Sequence, residues 1–62
     1  MTVFVVSDGT GDTGSAAVRA AMVQFRERWR LRVFRDTRTQ GDVRRVLEQA
    51  EEVGALVVFS MV

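Results

Sequence analysis

The residues best suited to chemistry stand in a short glycine-rich segment near the amino terminus. Gly9-Thr-Gly-Asp-Thr-Gly14 matches the pattern G-x-G-x-x-G, which binds phosphate groups when it follows a strand and opens a helix. Glycine permits positive φ and a close approach of the backbone to a ligand, and the N–H groups at a helix start attract anions. We therefore predict an anion-binding loop formed by Gly9, Thr10, Gly11 and Thr13, with the two threonine hydroxyl groups as additional donors.

Acidic side chains beside these glycines leave the nature of the ligand open. Asp8 and Asp12 bring negative charge to the loop, which disfavours a bare phosphate. Asp12 is also suited to cap the helix that follows, and Asp8, next to Ser7, is the residue here that would hold Mg²⁺ or a substrate hydroxyl. A tight turn with no ligand is the alternative, because every parallel α/β unit needs a turn after its first strand.

Two further charged residues lie at the carboxyl end of the second predicted strand, which Asp36 closes and Arg38 follows. Arg38 would lie at the same sheet edge as the glycine loop and would reach a bound phosphate with two hydrogen bonds, or else be an exposed loop arginine. Asp36 stands where a dinucleotide-binding fold has its ribose-binding carboxylate.

Composition excludes several classes of function. The 62 residues contain no histidine, cysteine or lysine, so a serine or cysteine triad, a disulfide, a zinc site and a Walker-type loop cannot form. The nine arginines are interspersed with eight carboxylates, giving a net charge of +1, and even residues 26–32 (RERWRLR) are better read as a helix running into a strand than as a nucleic-acid site. No apolar segment is long enough to span a membrane, and no signal peptide is recognisable, so we expect a cytoplasmic protein.

Hydrophobic patterning supplies the elements that position the loop. Thr2–Ser7 is a buried strand, and residues 15–28 form a helix with an apolar stripe at Val18, Met22, Phe25 and Trp29. A second strand covers residues 31–36, and a third, almost wholly apolar, covers residues 55–62. Between them Asp42 starts a second helix as its N-cap and Gly54 ends it; its apolar face comprises Val43, Val46, Leu47, Ala50 and Val53.

This order predicts an α/β protein: a βαβαβ unit with a three-stranded parallel sheet and right-handed crossovers. The first and third strands are apolar on both faces, whereas arginines interrupt the second, which favours the strand order 2-1-3. We expect residues 1–62 to be an N-terminal segment, without an internal boundary, of a larger Rossmann-like or flavodoxin-like domain. The rest of the same chain, or a second copy, would complete the sheet.

Three stretches also resemble a known family. They are Val3-Phe-Val-Val-Ser-Asp-Gly-Thr-Gly-Asp-Thr13, Arg19-Ala-Ala-Met-Val-Gln-Phe25 and Leu56-Val-Val-Phe-Ser-Met-Val62, and they are similar to the N-terminal part of the pyruvate, phosphate dikinase and phosphoenolpyruvate synthase regulatory proteins. The chain departs from the family at Gly14-Ser15, where members tend to have Ala-Glu. Six positions match the family motif, and the resemblance assigns no individual role to any of them: Ser7, Asp8, Gly9, Thr10, Gly11 and Thr13.

The resemblance implies a bifunctional serine/threonine kinase and phosphorylase. Such a protein phosphorylates a threonine of pyruvate, phosphate dikinase or phosphoenolpyruvate synthase with ADP as donor, and removes the phosphate with inorganic phosphate to give pyrophosphate. The family's nucleotide-binding P-loop lies later in the chain, so this segment alone is expected to hold no cofactor and to be inactive, while the parent protein uses ADP and phosphate, with Mg²⁺ as a further possibility. A nucleotide- or phosphate-binding module of Rossmann or flavodoxin type, without catalysis, is the alternative.

Overall fold

The computed structural model describes residues 1–25 and 28–61. Along these residues run β1 (Thr2–Ser7), α1 (Asp12–Met22), β2 (Arg30–Phe34), α2 (Gln40–Val53) and β3 (Leu56–Ser60). The strands are parallel, and their spatial order is β2-β1-β3. The predicted βαβαβ unit and its strand order are therefore confirmed.

Strand β1 is the centre of the sheet because its side chains are apolar on both faces. Val3 and Val5 pack with Val18 and Met22 on the face covered by α1. On the opposite face, covered by α2, the core comprises Phe4, Val6, Val46 and Ala50. Each crossover thus places its helix on a different face of the sheet, and β1 is buried by both.

The margins of the sheet differ in character. At β2, the guanidinium of Arg32 lies 4.7 Å from the ring centre of Phe34 and 5.9 Å from that of Phe4, and it donates to Gln49 Oε1 at 3.1 Å. An arginine therefore covers the aromatic pair and keeps its charge at the edge, as predicted. At β3, Leu56 and Phe59 are more than half exposed, and in the described residues this apolar strand pairs only with β1.

Helix α1 begins three residues earlier than predicted, at Asp12. Its N-cap is Gly11, which turns the chain with φ +80°, and none of the described side chains caps the helix. The prediction that Asp12 is the cap is therefore wrong, because Asp12 is the first helical residue. The helix ends at Met22, and Phe25 of the predicted stripe is exposed. The predicted helical residues 26 and 27 lie outside the described residues.

Helix α2 also begins before its predicted start. Thr39 is the N-cap, and Asp42, predicted to be the cap, is the third residue of the helix and completes a capping box. The C-cap at Gly54 is confirmed by its φ of +67°. Residue 62, the predicted end of the third strand, lies outside the described residues.

Neither described helix combines the length and the apolar content that crossing a membrane requires.

Candidate anion-binding site

The candidate site is built where β1 ends and α1 begins. Ser7 closes the strand as a buried residue, and its Oγ accepts a hydrogen bond from the Gly9 N–H at 3.1 Å. Gly11 then reverses the chain in the left-handed region, where a side chain is strained. A Cβ at Gly11 would also lie 2.5 Å from Val33 Cγ1. Glycine is therefore required at position 11 both by the backbone conformation and by the neighbouring strand.

The first turn of α1 presents its backbone donors to the same region. The Asp12 N–H donates to Thr10 Oγ1 at 3.4 Å, and the Ser15 N–H donates to the Gly11 carbonyl at 2.9 Å. The N–H groups of Thr13 and Gly14, which lie between these two, have no partner within the helix, as is general for a first helical turn. Together with the positive end of the helix dipole, they favour a negatively charged ligand.

Gly14 allows this helix start to lie directly on the sheet. A Cβ at Gly14 would lie 2.7 Å from Ser60 Cβ and 2.9 Å from Val5 Cγ1. The absence of a side chain thus permits a close approach between α1 and two strands, which is the role of the third glycine in G-x-G-x-x-G loops. Gly9 has no such neighbour, since the nearest atom to a Cβ there is Ser7 Oγ at 4.0 Å.

The loop and helix start enclose a cleft of about 320 Å³, near the lower end of the roughly 300–1,000 Å³ usual for small-molecule sites. Six residues singled out from the sequence line this cleft: Ser7, Asp8, Thr10, Gly11, Asp12 and Thr13. Ser60 and Met61 complete the lining. Gly9 shapes the turn without lining the cleft.

Ser60 and Met61 were missed as site residues from the sequence. Ser60 is the register partner of Ser7, so the two serines end neighbouring parallel strands at the same edge of the sheet. The sequence did contain a signal for Ser60, because it ends a predicted parallel strand. The carboxyl ends of parallel strands lie at one edge of the sheet, and ligands bind at that edge. Using this signal requires knowing that the third strand pairs with the first.

Arg38 lies beside the loop but does not line the cleft. Its Nε donates to the Asp8 carbonyl at 3.2 Å, and its Nη2 donates to Asp36 Oδ1 at 3.3 Å. The structure thus brings Arg38 and the predicted ribose carboxylate, Asp36, into contact with each other. The guanidinium remains mostly exposed, with 69% of the side chain accessible.

The charges of the cleft are mixed. The carboxylates of Asp8 and Asp12 oppose the positive end of the α1 dipole, so an anion would bind through backbone and hydroxyl donors rather than through an excess of positive charge. No group of three or more acidic side chains that could hold a metal occurs within residues 1–25 and 28–61. Mg²⁺ binding by Asp8 remains a prediction.

Comparison with known proteins assigns this α/β segment to a protein family. The model of the kinase/pyrophosphorylase family matches residues 3–62, and the chain belongs to this family. No solved structure gives a significant match.

The relatives carry a more particular name. A pyruvate, phosphate dikinase regulatory protein of Sorangium cellulosum is 46% identical over 59 residues, which cover 94% of this chain and 21% of the relative. Proteins of the same name from Citrifermentans bemidjiense and Streptococcus agalactiae serotype Ia are 33% and 30% identical, over 97% and 100% of this chain and 23% of each relative. The chain thus spans about a fifth of the length of these curated relatives.

Proposed function

We propose that this chain supplies the phosphate-binding loop of a regulatory protein that acts on pyruvate, phosphate dikinase or phosphoenolpyruvate synthase. The whole protein phosphorylates a threonine of the target with ADP as donor, and removes the phosphate with inorganic phosphate to form pyrophosphate. Nucleotide binding and transfer belong to later parts of the longer family members. Residues 1–62 alone bind phosphate or the phosphothreonine and do not catalyse transfer.

The observation that carries this proposal is the continuous path from Ser7 through the left-handed Gly11 into α1. It places the first helical residues, Asp12 and Thr13, in the lining of a cleft of ligand size at the helix start, where unpaired N–H groups favour an anion. A merely structural turn needs the reversal at Gly11, but it does not need a hydroxyl-lined cleft at the helix start. The family match adds that these residues belong to a protein class named for phosphate transfer.

An NMR titration of the chain with inorganic phosphate, pyrophosphate and ADP tests the loop. We expect shifts of the Thr13 and Gly14 amide signals with phosphate and pyrophosphate, and weaker binding by Thr13→Val, which removes the hydroxyl and keeps the side-chain shape. Thr2→Val removes a threonine hydroxyl outside the cleft and is the control. Absence of any shift at the loop would remove its proposed role.

Catalysis requires a separate assay with pyruvate, phosphate dikinase as substrate. The chain alone should transfer no phosphate from ADP, because no lysine is present to complete a nucleotide P-loop. Transfer by the 62-residue chain would contradict this division of labour.

A phosphate-binding module without catalysis is the second candidate, and the strand order favours its flavodoxin-like form. The order β2-β1-β3 begins the flavodoxin-like arrangement 2-1-3-4-5, whereas the classic dinucleotide-binding fold begins 3-2-1. Titration with a flavin mononucleotide separates the candidates. A flavin affinity well above that for inorganic phosphate would favour the module over the regulatory enzyme.

The edge of β3 that has no strand partner among residues 1–25 and 28–61 is the proposed attachment point for the rest of a family member. Residues 55–61 contain no charged side chain, and Leu56 and Phe59 expose apolar surface on opposite faces of the strand. A further parallel strand with its helices would bury both faces. If the remaining four-fifths of the Sorangium relative, added as a separate polypeptide, slows amide exchange in β3, the proposal holds. Concentration-dependent self-association through β3 would instead assign the edge to a second copy.

A further inference from the structure

Three consecutive carbonyl groups of the glycine loop are held by three consecutive residues of the turn between β2 and α2, here called the 36–38 turn. The Ser7 carbonyl accepts from the Thr37 N–H at 2.8 Å, and the Gly9 carbonyl accepts from the Asp36 N–H at 3.0 Å. The Asp8 carbonyl, between them, accepts from Arg38 Nε at 3.2 Å. Arg38 is thus the member of this set that acts through its side chain.

The strand order makes this arrangement directional. Since β1 lies between β2 and β3, the 36–38 turn stands on one side of the loop, and Ser60 and the cleft stand on the other. In a trans peptide the carbonyl and the following N–H point in opposite directions, and the described residues contain no cis peptide. The Ser7 and Gly9 carbonyls, drawn toward the 36–38 turn, therefore direct the N–H groups of Asp8 and Thr10 away from that turn. The N–H group between them, that of Gly9, donates to Ser7 Oγ.

The local backbone is adapted to this contact. Asp36 adopts φ +52°, and it is the non-glycine residue with positive φ among those described. This conformation costs free energy that its surroundings must supply, although Asp tolerates it better than most residues. The carboxylate of Asp36 accepts from Arg38 Nη2 at 3.3 Å, and Thr37 is buried. The 36–38 turn is thus held by the buried Thr37 on its inner side and by the ion pair of Asp36 and Arg38 at the surface.

We infer that the 36–38 turn is a positioning device for the glycine loop, with Arg38 as a positioning residue rather than a ligand of the anion. It holds the loop carbonyls away from the cleft, where their negative oxygen atoms would repel a phosphate. This inference rests on the proposed function only for the identity of the ligand, because the hydrogen bonds exist in the chain without one. Arg38 acts on binding through the Asp8 peptide.

Amide hydrogen exchange in the ligand-free chain tests the device directly. Arg38→Gln should speed exchange at Asp36 and Thr37 by about 1.5- to fivefold, the range for an exposed charged contact. The β1 amides of residues 3–6 should keep their rates, which shows that the sheet stays folded. Arg44→Gln removes the same charge from an exposed position of α2. It should change the exchange rates neither of the 36–38 turn nor of β1.

A second variant protects the test from a local folding defect. Asp36→Asn keeps a residue type that tolerates positive φ but removes the carboxylate that holds Arg38. It should also speed amide exchange at Thr37, by a smaller factor than Arg38→Gln does. Unchanged rates in both variants would overturn the inference.

Titration with inorganic phosphate then separates positioning from direct contact. Arg38→Gln should weaken phosphate binding by about 1.5- to fivefold, with the salt dependence of the Kd equal to that of Arg44→Gln. A clearly shallower salt dependence for Arg38→Gln alone would make Arg38 a direct ligand and overturn the inference. The wild-type chain could bind no phosphate while Arg38→Gln and Asp36→Asn still speed amide exchange as described. In that case the positioning role of the 36–38 turn stands and the proposed function fails.

Discussion

Thr39 and Asp42 cap helix α2 reciprocally. The Asp42 N–H donates to Thr39 Oγ1 at 3.1 Å, and the Thr39 N–H donates to Asp42 Oδ2 at 3.2 Å. The same carboxylate oxygen accepts from the Arg38 N–H at 3.3 Å, and Asp42 forms an ion pair with Arg45. The capping box therefore fixes the start of α2 together with the residue that contacts the glycine loop.

Replacing the capping hydroxyl should destabilise the fold. Thr39→Ala removes the acceptor for the Asp42 N–H, and we expect the free energy of unfolding to fall by about 1 kcal/mol. Thr39→Ser keeps the hydroxyl and should lose far less. Urea denaturation of the three proteins measures the difference, and equal losses for both variants would show that the methyl group, not the hydroxyl, matters.

The stability of the chain should depend on pH through Asp42. Hydrogen bonds from the Arg38 and Thr39 N–H groups lower the pKa of its carboxyl below the ordinary value of 3.8. A carboxyl whose pKa is lower in the folded state stabilises the fold above its unfolded pKa, and this stabilisation is lost as the pH falls through the folded pKa. Asp42→Asn lacks the charge at every pH.

Unfolding experiments on wild type and Asp42→Asn, from neutral pH to below 3.8, check this linkage. The wild type should be the more stable above that pH, and the difference should narrow as the solution becomes more acidic. The other carboxyl groups are common to both proteins and cancel in the comparison. A difference that stays constant with pH would exclude the charged carboxylate as its source.

The two left-handed glycines should respond differently to substitution by alanine. Gly54→Ala meets no atom within 4 Å, so its cost is the backbone strain of about 1 kcal/mol. Gly11→Ala adds a contact of 2.5 Å with Val33 Cγ1 to the same strain and should cost clearly more. Gly9→Ala has neither penalty and is the control. Thermal unfolding of the three variants gives the ranking, and a Gly11→Ala cost equal to that of Gly54→Ala would mean that Val33 moves aside freely.

The carboxylates of the cleft should weaken phosphate binding. Asp12→Asn and Asp8→Asn each remove a negative charge from the lining, and we expect phosphate to bind about two- to fivefold more tightly at low salt. Calorimetric or NMR titration measures the change.

Adding Mg²⁺ to the same titrations separates the roles of the two residues. If Asp8 holds the metal, Mg²⁺ strengthens phosphate binding by the wild type and by Asp12→Asn but not by Asp8→Asn. An equal response of all three proteins to Mg²⁺ would remove Asp8 as a metal ligand.

Much of the fold follows from the sequence because local patterns decide it. The uninterrupted apolar run of β1 requires helices on both faces of a central strand, and the arginines of β2 require an edge. Gly54 lies where a helix must end, and Gly9, Gly11 and Gly14 are spaced as a loop that approaches a ligand closely. These features depend on residue type and spacing within a few positions of the chain.

The helix starts were predicted less well because capping depends on competing local partners. The box formed by Thr39 and Asp42 begins α2 before Asp42, and the left-handed Gly11 starts α1 before Ser15. Several residues near each start can cap a helix, so the pattern alone does not select the one that does.

Only the tertiary structure decided which distant residues share the site. Ser60 joins Ser7 because β3 pairs in register with β1, and Gly14 proves indispensable to packing because Ser60 and Val5 lie against it. Arg38 was placed near the loop from the sequence, but its contact with the Asp8 carbonyl, on the side away from the cleft, follows from the position of β2. Apart from the contact of Gly14 with Val5, these relationships join residues 30 or more positions apart. The packing of the strands, which no local pattern records, creates them.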